Sequence, residues 1–244
     1  MLDSHTSIST AHGEMPTFVS RPADDGPHPV VFFYMDAPGK REELHDMARR
    51  IATTGYYVVL PQLYYRRVEE YSVQSSTDEA RAEMFEHMNS LSNAMIVEDT
   101  AAMFDFIDAD SAADSSRVGC VGYCMSGPFS LTQAAAYPDR IACAASIYGV
   151  RLAIDTVDSP HKLFGDVKGE LYIACAETDV YAPPEMVELL ERTVEASGVN
   201  ATVEWYAGTE HGFAFPQRPV YDKAAAEVHW RRLHSLFDRN LKAG

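Results

Sequence analysis

The chain has 244 residues, 46% of them apolar, and carries 20 Lys and Arg against 36 Asp and Glu, a formal net charge of −16. That size supports one domain, 1–244, with a core large enough to fold without disulfide staples or a structural metal. The acidic balance excludes nucleic acid and anionic membrane surfaces as partners, because both would be repelled, and it suits an anionic small substrate poorly.

Short apolar runs alternate with helical periods along the chain. The first 14 residues read as a loosely attached N-terminus. His28–Tyr34 (HPVVFFY) is a continuous apolar run, the pattern of a strand covered on both faces. Leu44, Ala48 and Ile51 mark a helix over Glu42–Thr54. Tyr56–Leu60 is a second buried strand, stopped by Pro61. Helices follow over Thr77–Ser90 and Met95–Ile107, then a strand over Val118–Tyr123 that runs at once into a small-residue helix over Ser126–Ala136. Ile141–Tyr148, Glu170–Cys175 and Ala201–Tyr206 are further strands. Between the last two, Met186, Leu189, Leu190 and Val194 mark a helix begun at Pro183-Pro184, and a final helix covers Val220–Leu241. The β(αβ)α order calls for a mostly parallel central sheet with helices on both faces.

No apolar run reaches the ~18 residues of a membrane span. The polar opening Met1-Leu-Asp-Ser-His-Thr has no secretory-signal pattern. A cytoplasmic protein with reduced thiols at Cys120, Cys124, Cys143 and Cys175 is therefore expected. With no CxxC pair and no His-x₃-His spacing, neither a metal nor another cofactor is expected.

Open α/β sheets bind ligands beyond the carboxyl ends of their strands, so the residues after each strand carry the functional argument. Gly122-Tyr-Cys124-Met-Ser126-Gly127 joins a strand directly to a helix. Such a turn strains the backbone of the residue at its tip and demands small residues two before and two after it. Gly122 and Ser126 meet that demand for Cys124. Ser126 as nucleophile would be flanked by Cys124 and Pro128, a poor fit. A helix N-terminus also favours a thiolate. A thiol nucleophile needs a base and the base an orienting acid. Asp179 follows the Glu170–Cys175 strand, with Glu177 as its rival, and His211 follows the Ala201–Tyr206 strand between Gly208 and Gly212. The chain order Cys124, Asp179, His211 is the nucleophile–acid–histidine order of α/β-hydrolases.

The segments VGCVGYCMSG, AETDVYAP and GTEHGF, with GYYVVLPQLYYR upstream, resemble the dienelactone hydrolase (carboxymethylenebutenolidase) family, a cysteine-nucleophile branch of the α/β-hydrolases. The likeness covers nearly the whole chain. Ser126 stands where the family's elbow usually has glycine. The resemblance implies an α/β-hydrolase fold, a Cys124–His211–Asp179 triad, a thioester acyl-enzyme, and hydrolysis of a carboxylic ester or lactone. It makes Asp36, after the first long strand, the acid that modulates the thiol, and places the oxyanion-hole amides at Ala37 and Met125.

For substrate contacts the resemblance points to Arg81 on the helix after the second strand, to Phe85 where a tyrosine would stand, and to Phe215 in the place of a second arginine. Tyr64, in Gln62-Leu-Tyr64-Tyr-Arg66-Arg67, is a packing residue or a substrate contact. With one arginine of two replaced and a charge of −16, a neutral or singly charged ester is expected. The partner is then a small molecule, and the protein a monomer or homodimer. Two other readings stand: a thiol-based redox or electrophile sensor on a hydrolase scaffold, and a catalytically weak binding protein that kept the fold. Cys120 lies about 13 Å up the strand from Cys124, too far for a disulfide.

Overall fold

The chain begins with strand β1 (Leu2–Thr10), paired antiparallel with β2 (Gly13–Arg21) from Leu2 opposite Arg21 to Thr10 opposite Gly13. This corrects the expectation of a loose N-terminus. β1 is polar and mostly exposed, so no apolar run announces it. What holds it is the ladder, with Ile8 turned inward and Gly13 closing the two-residue turn at φ +124°.

The structure, a computed structural model, describes residues 1–242. The chain forms two units, Met1–Arg117 and a second that begins at Val118.

In the first unit, β1 and β2 are followed by β3 (His28–Tyr34), α1 (Glu42–Ala52), β4 (Tyr57–Pro61), α2 (Asp78–Asn89) and α3 (Asn93–Asp108). Strand order is β1-β2-β4-β3, antiparallel except for the parallel β3/β4 pair. β3 and β4 are buried nearly throughout, as their unbroken apolar runs require. α1 buries Leu44, Ala48 and Ile51. Thr77 caps α2 by accepting from the Ala80 amide, and Ser92 caps α3 by accepting from that of Met95.

The second unit is all parallel. β5 (Ala113–Tyr123) enters it, followed by α4 (Gly127–Ala136), β6 (Ile141–Ile147), β7 (Glu170–Thr178), α5 (Pro184–Ser197), β8 (Ala201–Glu210) and α6 (Lys223–Leu241), with strand order β5-β6-β7-β8. α6 starts three residues later than expected because Asp222 caps it, accepting from the Ala225 amide, while Tyr221 closes a turn on the Arg218 carbonyl. All the strands of this unit end on the same side, so the segments after β5, β7 and β8 share one edge of its sheet. Among the described residues no helix is long and apolar enough to cross a membrane.

Candidate active site

Cys124 takes φ +55°, the left-handed region that a side-chain-bearing residue adopts only when its surroundings impose it. The surroundings do. A Cβ on Gly122 would lie 1.9 Å from the Ser126 carbonyl oxygen, so the strand can meet the returning helix only through glycine. The Cys124 carbonyl accepts the amide of Val150 at 3.1 Å, which ties the tip of the turn to the segment after β6. A short 3₁₀ turn, Cys124–Ser126, leads into α4, placing the thiol at the head of a helical run. Ser126 is fully buried and fills the small-residue position.

Asp179, in the segment after β7, is nearly buried. Its Oδ1 accepts the amides of Tyr181 at 2.9 Å and Ala182 at 3.2 Å, so the carboxylate is clamped by its own turn. Oδ2 then lies 2.7 Å from Nδ1 of His211. An ionised carboxylate only accepts, so Nδ1 carries the proton and Nε2 is the free ring edge. The rival acid is engaged elsewhere: exposed Glu177 accepts the Gly208 amide at 2.6 Å and braces the start of the His211 segment.

His211 is held edge-on between two rings, Tyr148 and Tyr181, each 5.0 Å away between centroids. Its Nε2 is buried and makes no completed hydrogen bond, yet Cys124 is near enough to act on the ring. Burial alone would lower the histidine's pKa. The hydrogen bonds and negative charges of Asp179 and Cys124 outweigh burial and raise it to about 9. The unit thus stabilises an imidazolium beside a sulfur.

The other three cysteines differ. All are buried. Burial pushes the Cys120 thiol well up, with Cys143 adding to it, and its Sγ donates to the Ser130 carbonyl. Burial, aided by the charges of Glu191 and Asp179, pushes Cys175 up to about 12. Cys124 is the only half-buried cysteine of the four.

Met125, immediately after Cys124, is 3% exposed. Phe215 is fully buried, its ring 5.3 Å from that of Tyr123, with the Arg218 guanidinium 5.0 Å above its face. The family's second arginine is replaced by Phe215 here, and a cation, Arg218, stands three residues on. Arg218 also lies against Gly212, where a Cβ would meet its Cδ at 2.9 Å. Arg218, Tyr148 and Tyr181 were not anticipated from the sequence. Tyr148 directly follows β6, the one sequence feature that could have drawn attention to it, and takes φ +37° there.

The remaining expected site residues lie in the first unit. Asp36 is fully buried, and both of its oxygens are held by Arg41, Oδ1 by Nη1 at 2.5 Å and Oδ2 by Nη2 at 3.3 Å. Arg41 also grips Glu43 at 2.6 Å. Although burial would lower the guanidinium's pKa, these two carboxylates raise it further above its usual value. Ala37 is buried, and its carbonyl accepts the Tyr64 hydroxyl at 2.8 Å. Tyr64 is 1% exposed and meets the rings of Tyr71 and His87. Arg81 is exposed on α2, 5.6 Å above the ring of half-buried Phe85 one turn on.

Known proteins resemble the chain in structure or in sequence. A solved structure from Klebsiella pneumoniae, described as "Putative Dienelactone Hydrolase", superposes with a TM-score of 0.88 at 23% identity over 98% of each chain. A Synechocystis protein named "Putative carboxymethylenebutenolidase" is 26% identical, covering 92% of both sequences. The carboxymethylenebutenolidase of Rhodococcus opacus is 24% identical over 91% of this chain and 85% of its own. The profile of the dienelactone hydrolase family matches residues 15–241. The chain has the α/β-hydrolase fold and belongs to the dienelactone hydrolase family, enzymes that hydrolyse lactones and esters.

Proposed function

We propose that the protein hydrolyses a small carboxylic ester or lactone through Cys124, His211 and Asp179 by way of a thioester. The observation that carries this reading is the clamped Asp179 carboxylate 2.7 Å from His211 Nδ1, with the opposite ring edge turned to a half-buried cysteine on a strained elbow. In the first step the Cys124 sulfur attacks the substrate carbonyl carbon, and the carbonyl electron pair moves onto oxygen. The Met125 amide donates to that oxyanion, as the residue after the nucleophile does in this fold. The C–O bond to the alcohol then breaks, and the leaving oxygen takes the proton from His211 Nε2.

Thioester formation changes the histidine. The sulfur charge that raised its pKa is consumed, so the ring is released as a neutral base. It then takes a proton from water, hydroxide adds to the thioester carbonyl, and the thiolate departs as the imidazolium reforms. Asp179 holds the ring in the same tautomer through both steps. The substrate class this chain favours is a neutral or singly charged ester, in keeping with the net charge of −16 and with Phe215 in the aromatic cluster. Replacing Cys124 by Ala tests the reading. Turnover of p-nitrophenyl acetate and of a lactone panel falls to the uncatalysed rate if it holds. A variant as active as the parent overturns it.

A further inference from the structure

One aromatic frame links the residue before Cys124 to His211. Tyr123, the residue before Cys124, is fully buried, and its ring lies 5.9 Å from Tyr148 and 5.3 Å from Phe215. Tyr148 in turn lies edge-on to His211. Ring contacts of this kind resist separation but not sliding, so they do not by themselves fix a sulfur to within a few tenths of an ångström.

The frame has a polar pin. His229, on α6, is fully buried. Its Nδ1 lies 2.9 Å from the Ala226 carbonyl, three residues back on the same helix, and its Nε2 lies 2.9 Å from the Tyr123 hydroxyl. A carbonyl only accepts, so Nδ1 carries the proton and Nε2 of the neutral ring accepts from Tyr123. The helix sets the tautomer, and the tautomer gives Tyr123 a directed acceptor that a sliding ring lacks. The mechanism above makes no use of His229.

We propose that His229 is a positioning residue for the hydrolysis. By fixing Tyr123 it holds the backbone that enters the left-handed turn at Cys124, and so the distance from the sulfur to Nε2 of His211. The inference rests on the triad reading of the preceding section. A displacement of about 1 Å between reacting groups costs on the order of 100-fold in rate. The pin therefore acts on kcat and not on substrate binding.

The test uses His229→Leu, His229→Gln and Tyr123→Phe. For each variant, kcat and KM on p-nitrophenyl acetate are measured with the melting temperature and the rate of Cys124 alkylation by iodoacetamide, followed by peptide mass. The Leu and Phe variants lower kcat roughly 10- to 100-fold and slow alkylation comparably, with KM changed by less than about twofold. Gln, whose side-chain carbonyl can accept from Tyr123, retains most of the activity. The double variant is no worse than the weaker single. Folded variants that keep the parent kcat and alkylation rate while melting earlier overturn the proposal, as that is what a merely stabilising bond would do. If His229→Leu does not fold, Tyr123→Phe, which deletes one hydroxyl, carries the same test. Alkylation needs no turnover, so a parent protein without esterase activity counts against the triad reading while the alkylation series still decides the positioning role.

Discussion

Asp179 gives one carboxylate oxygen to its own turn and the other to His211: Oδ1 accepts two backbone amides, and Oδ2 lies 2.7 Å from the imidazole Nδ1. The division explains why this residue, and not Glu177, sets the histidine. A carboxylate clamped by backbone has one orientation, whereas Glu177 is exposed and spends itself on the Gly208 amide. Asp179→Asn keeps the shape but offers the histidine an amide that can impose the wrong tautomer. It lowers kcat by about two to four orders of magnitude, measured on any hydrolysed ester, while Glu177→Gln changes kcat little.

The pH dependence has a definite sign. His211 has a folded pKa of about 9 against 6.5 for an ordinary histidine, so the folded protein holds a proton that the unfolded chain releases between those values. The stabilisation is complete below pH 6.5 and is lost as pH rises through about 9. Denaturant unfolding across that range shows Asp179→Asn most destabilised at the acid end and converging on the parent above pH 9. The same deprotonation removes the acid for the leaving alcohol, so kcat/KM falls above about pH 9. In Asp179→Asn that fall moves to lower pH.

Gly122 is an absolute requirement of the elbow. A methyl group there would sit 1.9 Å from the Ser126 carbonyl oxygen, whereas a Cβ at Gly165 meets nothing within 4 Å. Gly122→Ala costs about 3 kcal/mol in thermal or denaturant unfolding and abolishes activity by displacing Cys124. Gly165→Ala stays within about 0.5 kcal/mol of the parent.

Half-buried Arg41 is the ion-pair partner of fully buried Asp36. Removing it leaves a fully buried carboxylate without its guanidinium, a change that costs about 3–5 kcal/mol in unfolding free energy. Arg67, paired at the surface with Glu86, loses less than about 1 kcal/mol on replacement by Ala. Equal effects at the two sites would contradict the difference in burial.

Much of this architecture is legible in the sequence because β3 and β4 are unbroken apolar runs, β5 to β7 carry apolar stretches, and the proposed site residues follow directly after strand ends. Cys124, Asp179 and His211 could be singled out from local features: small residues around an elbow, one Asp ahead of a Pro-started helix, a histidine among glycines. What escaped depends on partners distant in sequence or on patterns too polar to notice. β1 is such a case, since LDSHTSIST has no apolar run and gains its place only by pairing with β2. So is Arg218: nothing local says that a loop arginine between two prolines will fold back over Phe215. The Tyr123–His229 bond joins residues 106 apart, and no spacing rule reaches that far.

In the proposed reaction an acyl group passes through the Cys124 sulfur. The most direct measurement is peptide mass analysis of enzyme quenched in acid during turnover of p-nitrophenyl acetate. An acetyl group is expected on the peptide containing Cys124, labile to hydroxylamine and absent from the peptides of Cys120, Cys143 and Cys175. Rapid turnover with Cys124 unmodified at every quench time, together with full activity in Cys124→Ala, would contradict it.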